Sequence, residues 1–388
     1  MRVVFYTHVF APSVGGVETL VMSLAAGLSG RNREHPEKHV EVTVLTPQPA
    51  GNFDDRGLPF EVVRLPGLGQ IVGCFRRADI VHLAGPSLVP LLVGWVLRRP
   101  VIVSHHGFQA ACPNGQFFYR PEATLCPGHF LAGRHGQCLN CNAANGRWHA
   151  LKSWLATFPR RWLCQGASLH VTPTAWLSNV LGLPRTAVVP HGVSGKDATG
   201  ATVFPARPKF SFLGRLVSTK GVHVLLAAAQ RLKANGCSFQ LQVIGEGPER
   251  EALEASAKQA GLNGTVGFRG YLTPAAVEQA LAGSLAVVVP SLAGEVFGLV
   301  TAQSMRAGCA VVTSDLAALR EVSGDAGLSF PAGDAEALAE RLEMLTKTPG
   351  LAARLGEKAR LRAQELYSVE RMVSAHMRLY EEVMSRAG

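Results

Sequence analysis

The stretch Leu285–Asp315, LAVVVPSLAGEVFGLVTAQSMRAGCAVVTSD, admits few folds. Its first five residues form an unbroken apolar run, which reads as a buried parallel strand. A loop follows with Gly294, Glu295, Phe297 and Gly298. A helix then runs from about Leu299 to Gly308, and a second apolar run covers Ala310–Thr313. Gly298 lets the backbone approach a ligand closely. The unpaired N–H groups at the helix start, Leu299 and Val300, suit a phosphate. Glu295 lies just before the helix and Gln303 a little over one turn into it, so the two side chains bracket a ligand at the helix mouth.

The same alternation organises the rest of the chain. Strands are predicted at Arg2–Tyr6, Val40–Leu45, Phe60–Arg64, Ala78–Leu83 and Pro100–Ser104, with helices between several of them. The first strand leads through Gly15 and Gly16 into a helix, the geometry of a doubly wound sheet with a ligand at the strand end. His82 lies near one strand end, where it reads as a strand cap, and His105-His106-Gly107 closes another. Ser168–Pro173 and Thr186–Val189 complete the first half. Ser194–Arg207, without periodicity, reads as a linker. The second half starts with a strand at Phe210–Gly214, followed by Gly214-Arg215-Leu216-x3-Lys220-Gly221 and a helix to Ala234. Arg215 and Lys220 both reach one point above that strand end, where two cations would neutralise a diphosphate leaving group. Gly245-Glu246-Gly247-Pro248 opens the next loop. The domain boundaries that follow are 1–195 and 208–366, with a helix over 367–388.

At 388 residues with 47% hydrophobic content the chain is long enough for two or three domains. No secretory signal is read at the start. The apolar run Leu88–Leu97 is about half the roughly 20 residues a membrane span needs. These readings predict a cytoplasmic protein. The net charge of +10 is uneven: residues 1–195 hold 17 Lys+Arg against 9 Asp+Glu. No basic helical stripe or aromatic-plus-basic module argues for nucleic acid. The charge therefore predicts an anionic surface or substrate, and the helix over Trp148–Leu163, with its aromatics and Arg160-Arg161, predicts peripheral contact with a membrane.

Residues 108–147 break the alternation. They are rich in Gly, Pro, Asn and Cys, and hold Cys112, Cys126, Cys138 and Cys141. Without a secretion signal a disulfide framework is disfavoured. Four thiolates in such a loop suit a structural zinc, with an iron–sulfur cluster as the alternative.

Glu295-x-Phe297-Gly298-Leu299-x3-Gln303 resembles the E-x-F-G-L-x-x-x-E signature of the retaining nucleotide-sugar glycosyltransferases of family four, with Gln303 in place of the second Glu. Gly214-Arg215-Leu216-x3-Lys220-Gly221 matches the fixed residues of that family's G-R-L-x-x-x-K-G motif. Pro12-x2-Gly15-Gly16-x-Glu18, Gly245-x-Gly247-Pro248 and His106-Gly107 are similar to further family segments, and a subset of the family carries a Cys-rich insertion like 108–147. The resemblance implies a GT-B fold, two doubly wound α/β domains facing a cleft, with residues 367–388 packing back on the first. It implies a nucleotide-diphosphate-sugar donor, transfer with retention to a glycan, lipid-linked or small acceptor, and no cofactor for the chemistry. Catalytic roles would fall to His106, Arg215, Lys220 and Glu295. Gly15, Gly16, Gly245, Gly247, Phe297, Gly298, Leu299, Val300 and Gln303 would bind the donor. The other readings are a GT-B nucleotide-sugar epimerase, a phosphorylase, and a nucleotide-sugar-binding protein without turnover.

Overall fold

Short strands buried on both faces can hydrogen-bond only to one another, and the helices between them must cover both sides of the sheet. The computed structural model describes residues 1–34, 39–195, 205 and 207–387. Most of the linker read at Ser194–Arg207 lies outside these. The chain forms two units: Met1–Glu122, Cys126–Gly192 and Ser368–Gly388 make the first, and Ala123–Leu125 with Val193–Tyr367 the second.

Unit 1 runs β1 (Arg2–Tyr6), α1 (Gly16–Glu34), β2 (Glu41–Thr46), β3 (Glu61–Arg64), α2 (Leu68–Arg77), β4 (Ile80–Ala84), α3 (Leu88–Val96), β5 (Val101–Ser104), α4 (His135–Asn142), α5 (Arg147–Gln165), β6 (Leu169–Thr172), α6 (Ala175–Leu181) and β7 (Thr186–Val188). The seven strands are parallel in the order β3-β2-β1-β4-β5-β6-β7. The order reverses between β1 and β4, where Val3 pairs with Ile80 and Phe5 with His82.

Unit 2 holds β8 (Lys209–Leu213), α7 (Val222–Ala234), β9 (Gln240–Ile244), α8 (Arg250–Gln259), β10 (Val266–Gly270), α9 (Pro274–Leu281), β11 (Ala286–Val289), α10 (Leu299–Arg306), β12 (Val311–Ser314), α11 (Ala317–Ser323), β13 (Leu328–Phe330), α12 (Ala335–Lys347) and α13 (Pro349–Leu366). Its six parallel strands stand in the order β10-β9-β8-β11-β12-β13, reversing between β8 and β11. The core joins Phe210, Phe212, Val243 and Val288 of the sheet with Leu225, Leu232, Leu338 and Leu342 of the covering helices.

The chain then returns to unit 1 as α14 (Val369–Ala387). This helix seats Met372, Val373, Met377, Tyr380 and Val383 in the interior. A Cβ on Gly27 of α1 would lie 2.4 Å from a Val373 methyl, so glycine sets how closely the two helices pack.

The segment 108–147, read as irregular, contains α4. Cys138 and Cys141 stand three apart on it and are both buried, which gives the helix an inward face that its polar neighbours hide in the sequence.

Close packing also decides one substitution. Helix propensity alone would have Gly356→Ala stabilise α13 by about 1 kcal/mol. A Cβ there would lie 2.2 Å from the Gly308 carbonyl oxygen. We therefore expect Gly356→Ala to destabilise unit 2 by about 2 kcal/mol through overpacking. Denaturant unfolding checks the sign, and a raised midpoint would mean that α13 packs elsewhere.

Candidate functional site

In an open parallel sheet, ligands bind at the carboxyl ends of the strands, where the strand order reverses. In unit 2 this point lies between β8 and β11, and three loops cross there. Gly214 N–H donates to the Ile244 carbonyl at 3.0 Å, Leu216 N–H to Glu246 at 2.9 Å, and Leu292 N–H to Thr219 at 2.8 Å. The crossings leave no room for side chains. A Cβ on Gly221 would lie 1.9 Å from the Pro290 oxygen, and one on Gly245 would lie 1.9 Å from the Gly214 oxygen. Both glycines also have positive φ (66° and 137°), which other residues rarely adopt. Gly247 is similarly pressed, 2.3 Å from the Leu216 oxygen. Gly245 and Gly247, expected to bind the donor, are taken up here by loop packing.

The crossing brings chemistry together. The Lys220 ammonium bonds Glu295 Oε1. Ser291 Oγ donates to the same oxygen at 2.8 Å, and Ser314 Oγ holds the Ser291 carbonyl at 2.6 Å. Glu295 is thus fixed by a cation and a hydroxyl, its side chain 11% exposed and that of Lys220 30%. An ammonium has three protons, so pairing with Glu295 leaves two for other acceptors. Arg215 is exposed on the same loop as Lys220 and pairs with no carboxylate among the described residues. Ser291 and Ser314 escaped the sequence reading, because a serine four residues before a glutamate in a loop carries no periodic signal.

Gly298 caps α10 in the left-handed region (φ 88°), with Leu319 2.4 Å from where its Cβ would stand. The first backbone bond into α10 runs from Ala302 N–H to the Gly298 carbonyl, and the N–H groups of Leu299 and Val300 precede it at the helix mouth. Gln303 is half-buried on the same helix. Phe297, read as a donor contact, points inward instead: it is 1% exposed, with its ring 5.3 Å from Tyr367 at 90°. Its part is to anchor the loop.

Unit 1 collects histidines at its own strand ends. His106, half-buried after β5, packs against His191, the rings tilted by 35° with centroids 5.2 Å apart. Behind it lies a cavity of about 20 Å³, the size of one water, lined by His82, His105, His106, His191 and His376. The hydrogen bonds fix tautomers. The Cys164 carbonyl only accepts, so His170 donates from Nε2 (2.9 Å). Its bare Nδ1 then accepts from His105 Nε2 (3.0 Å), leaving His105 Nδ1 unprotonated and without a partner. His376 donates from Nδ1 to the Met372 carbonyl at 2.8 Å. His82, read as a strand cap, is interior and bonds the Tyr380 hydroxyl at 2.5 Å and Ser104 at 2.7 Å. Burial pushes His106 down to about 4, helped by the charge His376 would carry. Burial also holds His170 and His376 at about 4, and His82, His105 and His191 well below the usual histidine value. Gly15 precedes α1 and Gly16 opens it, and the Glu18 carboxylate folds back over Gly15.

Cys112, Cys126, Cys138 and Cys141 are all buried. Burial, then the neighbouring Cys112, Cys126 and Cys141, push the Cys138 thiol up to about 12. Cys112 donates to Asn114 Oδ1 at 2.9 Å, Asn114 Nδ2 donates to Cys141 at 3.3 Å, and Cys141 donates to the Phe118 carbonyl at 3.3 Å. Four sulfurs are a suitable donor set for zinc, but the placement does not fit: among the described residues no three His, Cys, Asp or Glu side chains are arranged to hold a metal ion. What the structure shows is a hydrogen-bonded loop through Cys112, Asn114, Cys141 and the Phe118 carbonyl.

Residues 201–362 match the family Glycosyl transferases group 1. A phosphatidyl-myo-inositol mannosyltransferase of Mycolicibacterium smegmatis is 34% identical over 216 residues, 54% of this chain and 54% of that protein. A glycogen synthase of Mycobacterium tuberculosis is 28% identical over 292 residues, 73% of this chain and 69% of that one. The chain thus spans about half the length of the mannosyltransferase it matches. Among solved structures, sucrose-phosphate synthase from Thermosynechococcus elongatus superposes with a TM-score of 0.74 at 20% identity, covering 99% of each chain. Anabaena HepE in complex with UDP-glucose gives 0.71 at 18%, covering 100% of each. These likenesses establish the fold as GT-B.

The neutral histidines make stability depend on pH. Their folded pKa values lie below the unfolded value of about 6.5, so the unfolded chain binds more protons as pH falls, and stability present above pH 6.5 is lost toward pH 4. Each such group contributes a slope of about 1.4 kcal/mol per pH unit within that window. Urea unfolding of unit 1 between pH 7 and 4.5 should show the decline, and His376→Leu should flatten it. A flat profile for the unaltered protein would mean that the imidazoles are charged or exposed.

Proposed function

We propose that this chain, a group 1 glycosyl transferase through residues 201–362, moves a sugar from a nucleotide-diphosphate-sugar donor to an acceptor with retention at the anomeric carbon. The observation that carries the reading is the knot of Lys220, Glu295 and Ser291 beside the α10 N-terminus, with Arg215 exposed on the Lys220 loop.

Breaking the anomeric bond leaves negative charge on a diphosphate, and groups that stabilise that charge lower the barrier. The two spare protons of Lys220, the Arg215 guanidinium and the N–H groups of Leu299 and Val300 supply it. Two cations serve here where other enzymes use a divalent metal. Glu295, already held by Lys220 and Ser291, takes sugar hydroxyls with its remaining lone pairs. Gln303 takes the ribose through its amide, neutral where the family signature has a charged carboxylate. His106 of unit 1 stays neutral near pH 7, so it would bond a hydroxyl without adding charge. The acceptor is a glycan or a lipid-linked molecule. Uridine is the base to test first, since Anabaena HepE was solved with UDP-glucose. The protein works in the cytoplasm, against the inner face of the membrane. No helix among the described residues is long and apolar enough to cross one.

The direct test is product analysis. Mass spectrometry of donor, acceptor and enzyme should show a glycosylated acceptor, and the anomeric proton coupling should match that of the donor. An epimerase would change the sugar without an acceptor. A binding protein without turnover would gain thermal stability from nucleotide yet form no product.

Arg215→Ala and Lys220→Ala should each lower kcat by about a hundredfold or more, as removal of a charge-stabilising donor does. If both variants keep kcat within about twofold of the parent, the leaving-group assignment is wrong. Gln303→Glu should retain turnover and bind nucleotide at least as tightly, because both side chains accept ribose hydrogen bonds. Calorimetry on that variant checks it, and loss of binding would place the ribose elsewhere.

A further inference from the structure

A helix covering a sheet normally turns its polar face to water. On unit 1, α3 and α5 turn large apolar side chains to water as well. α3 buries Pro90, Leu91 and Gly94 against the sheet and exposes Val89, Leu92, Trp95 and Val96. α5 buries Ala150, Thr157 and Leu163 and exposes Trp148, Leu155, Phe158 and Trp162. The exposed positions recur at spacings of three, four and seven, so each set forms a stripe along its helix. The stripes lie side by side: the Trp95 and Trp162 rings meet edge to face at 5.8 Å. Both remain more than half exposed, at 53% and 60%, and Trp148 reaches 66%. A groove of about 570 Å³ opens where the helices end, with Trp95, Val96, Arg98 and Arg99 in its wall.

The charge around these stripes has one sign. From Ile80 to Lys196 the chain has ten Lys and Arg and a single acidic residue, Glu122. α2, α3 and α5 carry no Asp or Glu at all. Arg160 and Arg161 are used internally, bonding the carbonyls of Pro86 and Leu181. Arg76, Arg77, Arg98, Arg147 and Lys152 are exposed and pair with no carboxylate among the described residues. Arg98 holds its place although φ is 52° there, a left-handed helix end that glycine occupies with less strain. Lys152 lies 5.1 Å over the Trp148 ring, so the charged tip and the aromatic face sit together.

We propose that the α3–α5 face of unit 1 docks on an anionic phospholipid bilayer, the tryptophans and aliphatics entering the headgroup boundary and the cations binding lipid phosphates. The pattern of aromatic stripe, long basic side chains and missing acids is that of a helix lying in the interface plane. Water solvates these cations well but leaves the apolar stripe exposed, whereas a bilayer surface satisfies both. A second copy of the chain would bring two like-charged faces together without acids to relieve them. The inference deepens the membrane-face location proposed above. Its test uses no donor or acceptor, so it stands or falls apart from the transfer reaction.

The test is flotation of the full chain with phosphatidylcholine vesicles and with vesicles about one-third phosphatidylglycerol, at low salt and at about 0.5 M, where exposed charges are screened within a few ångströms. Binding to the anionic vesicles should exceed binding to the neutral ones by about tenfold or more at low salt and fall at high salt. Trp95→Ser with Trp162→Ser, and separately Arg98→Glu with Lys152→Glu, should each weaken it about tenfold while thermal unfolding stays unchanged. Brominated acyl chains should quench the tryptophan emission of the unaltered protein, which decides the matter even if a variant folds poorly. No preference for anionic vesicles, no quenching, or undiminished flotation of both folded variants overturns the proposal. So does a salt-resistant dimer, without vesicle binding, that Trp95→Ser with Trp162→Ser dissolves.

Discussion

Where Gly221 passes the carbonyl of Pro290, the backbones are so close that no side-chain carbon fits between them. Much of unit 2 depends on this contact and the two like it at Gly245 and Gly247. Each lets one strand-to-helix loop lie directly on the next, so three loops from β8, β9 and β11 form a single layer over the sheet edge. Lys220 and Glu295, 75 residues apart, are bonded across that layer. A methyl group at any of these glycines would lift one loop off another and part the charges before altering any of them.

The two units manage polarity in opposite ways. Unit 2 places a carboxylate and an ammonium in a partly buried pair, with the Ser291 hydroxyl as a further donor to the carboxylate. Unit 1 gathers six imidazoles and keeps them uncharged by burial and mutual proximity. The first cluster is held by opposite charges. The second is held by neutral donors and acceptors, and the Cys164 and Met372 carbonyls set the tautomers of His170 and His376.

What could be read beforehand follows from range. Strands such as Ala286–Val289 announce themselves because an apolar run of that length ending in Pro and Gly has few other uses. Arg215 and Lys220 stand at fixed distances from a strand end, so their place on the loop after β8 was legible too. Gly245 and Gly247 looked like ligand contacts, since a glycine needed for a carbonyl crossing and one needed for a phosphate look alike in one dimension. Phe297 lay in a motif and was read as touching the ligand, although an aromatic between two glycines serves equally as an anchor. The partnership of His82 with Tyr380 spans 298 positions and leaves no local trace. The four cysteines showed which donors were present; their spacing carried nothing about angles, and the hydrogen bonds through Asn114 depend on a turn that no cysteine count reveals.

The path of the chain has a consequence for its synthesis. Unit 2 is an insertion within unit 1, which is left at Gly192 and rejoined at Ser368. All six strands and seven helices that define unit 2 leave the ribosome before α14 does. Until then the first unit lacks the helix that covers Gly27, His82 and the imidazole-lined cavity. The earlier-made unit is therefore the later one to finish, and its apolar and polar interior waits through about 175 residues of translation, at 5–20 residues per second, for roughly ten to thirty seconds.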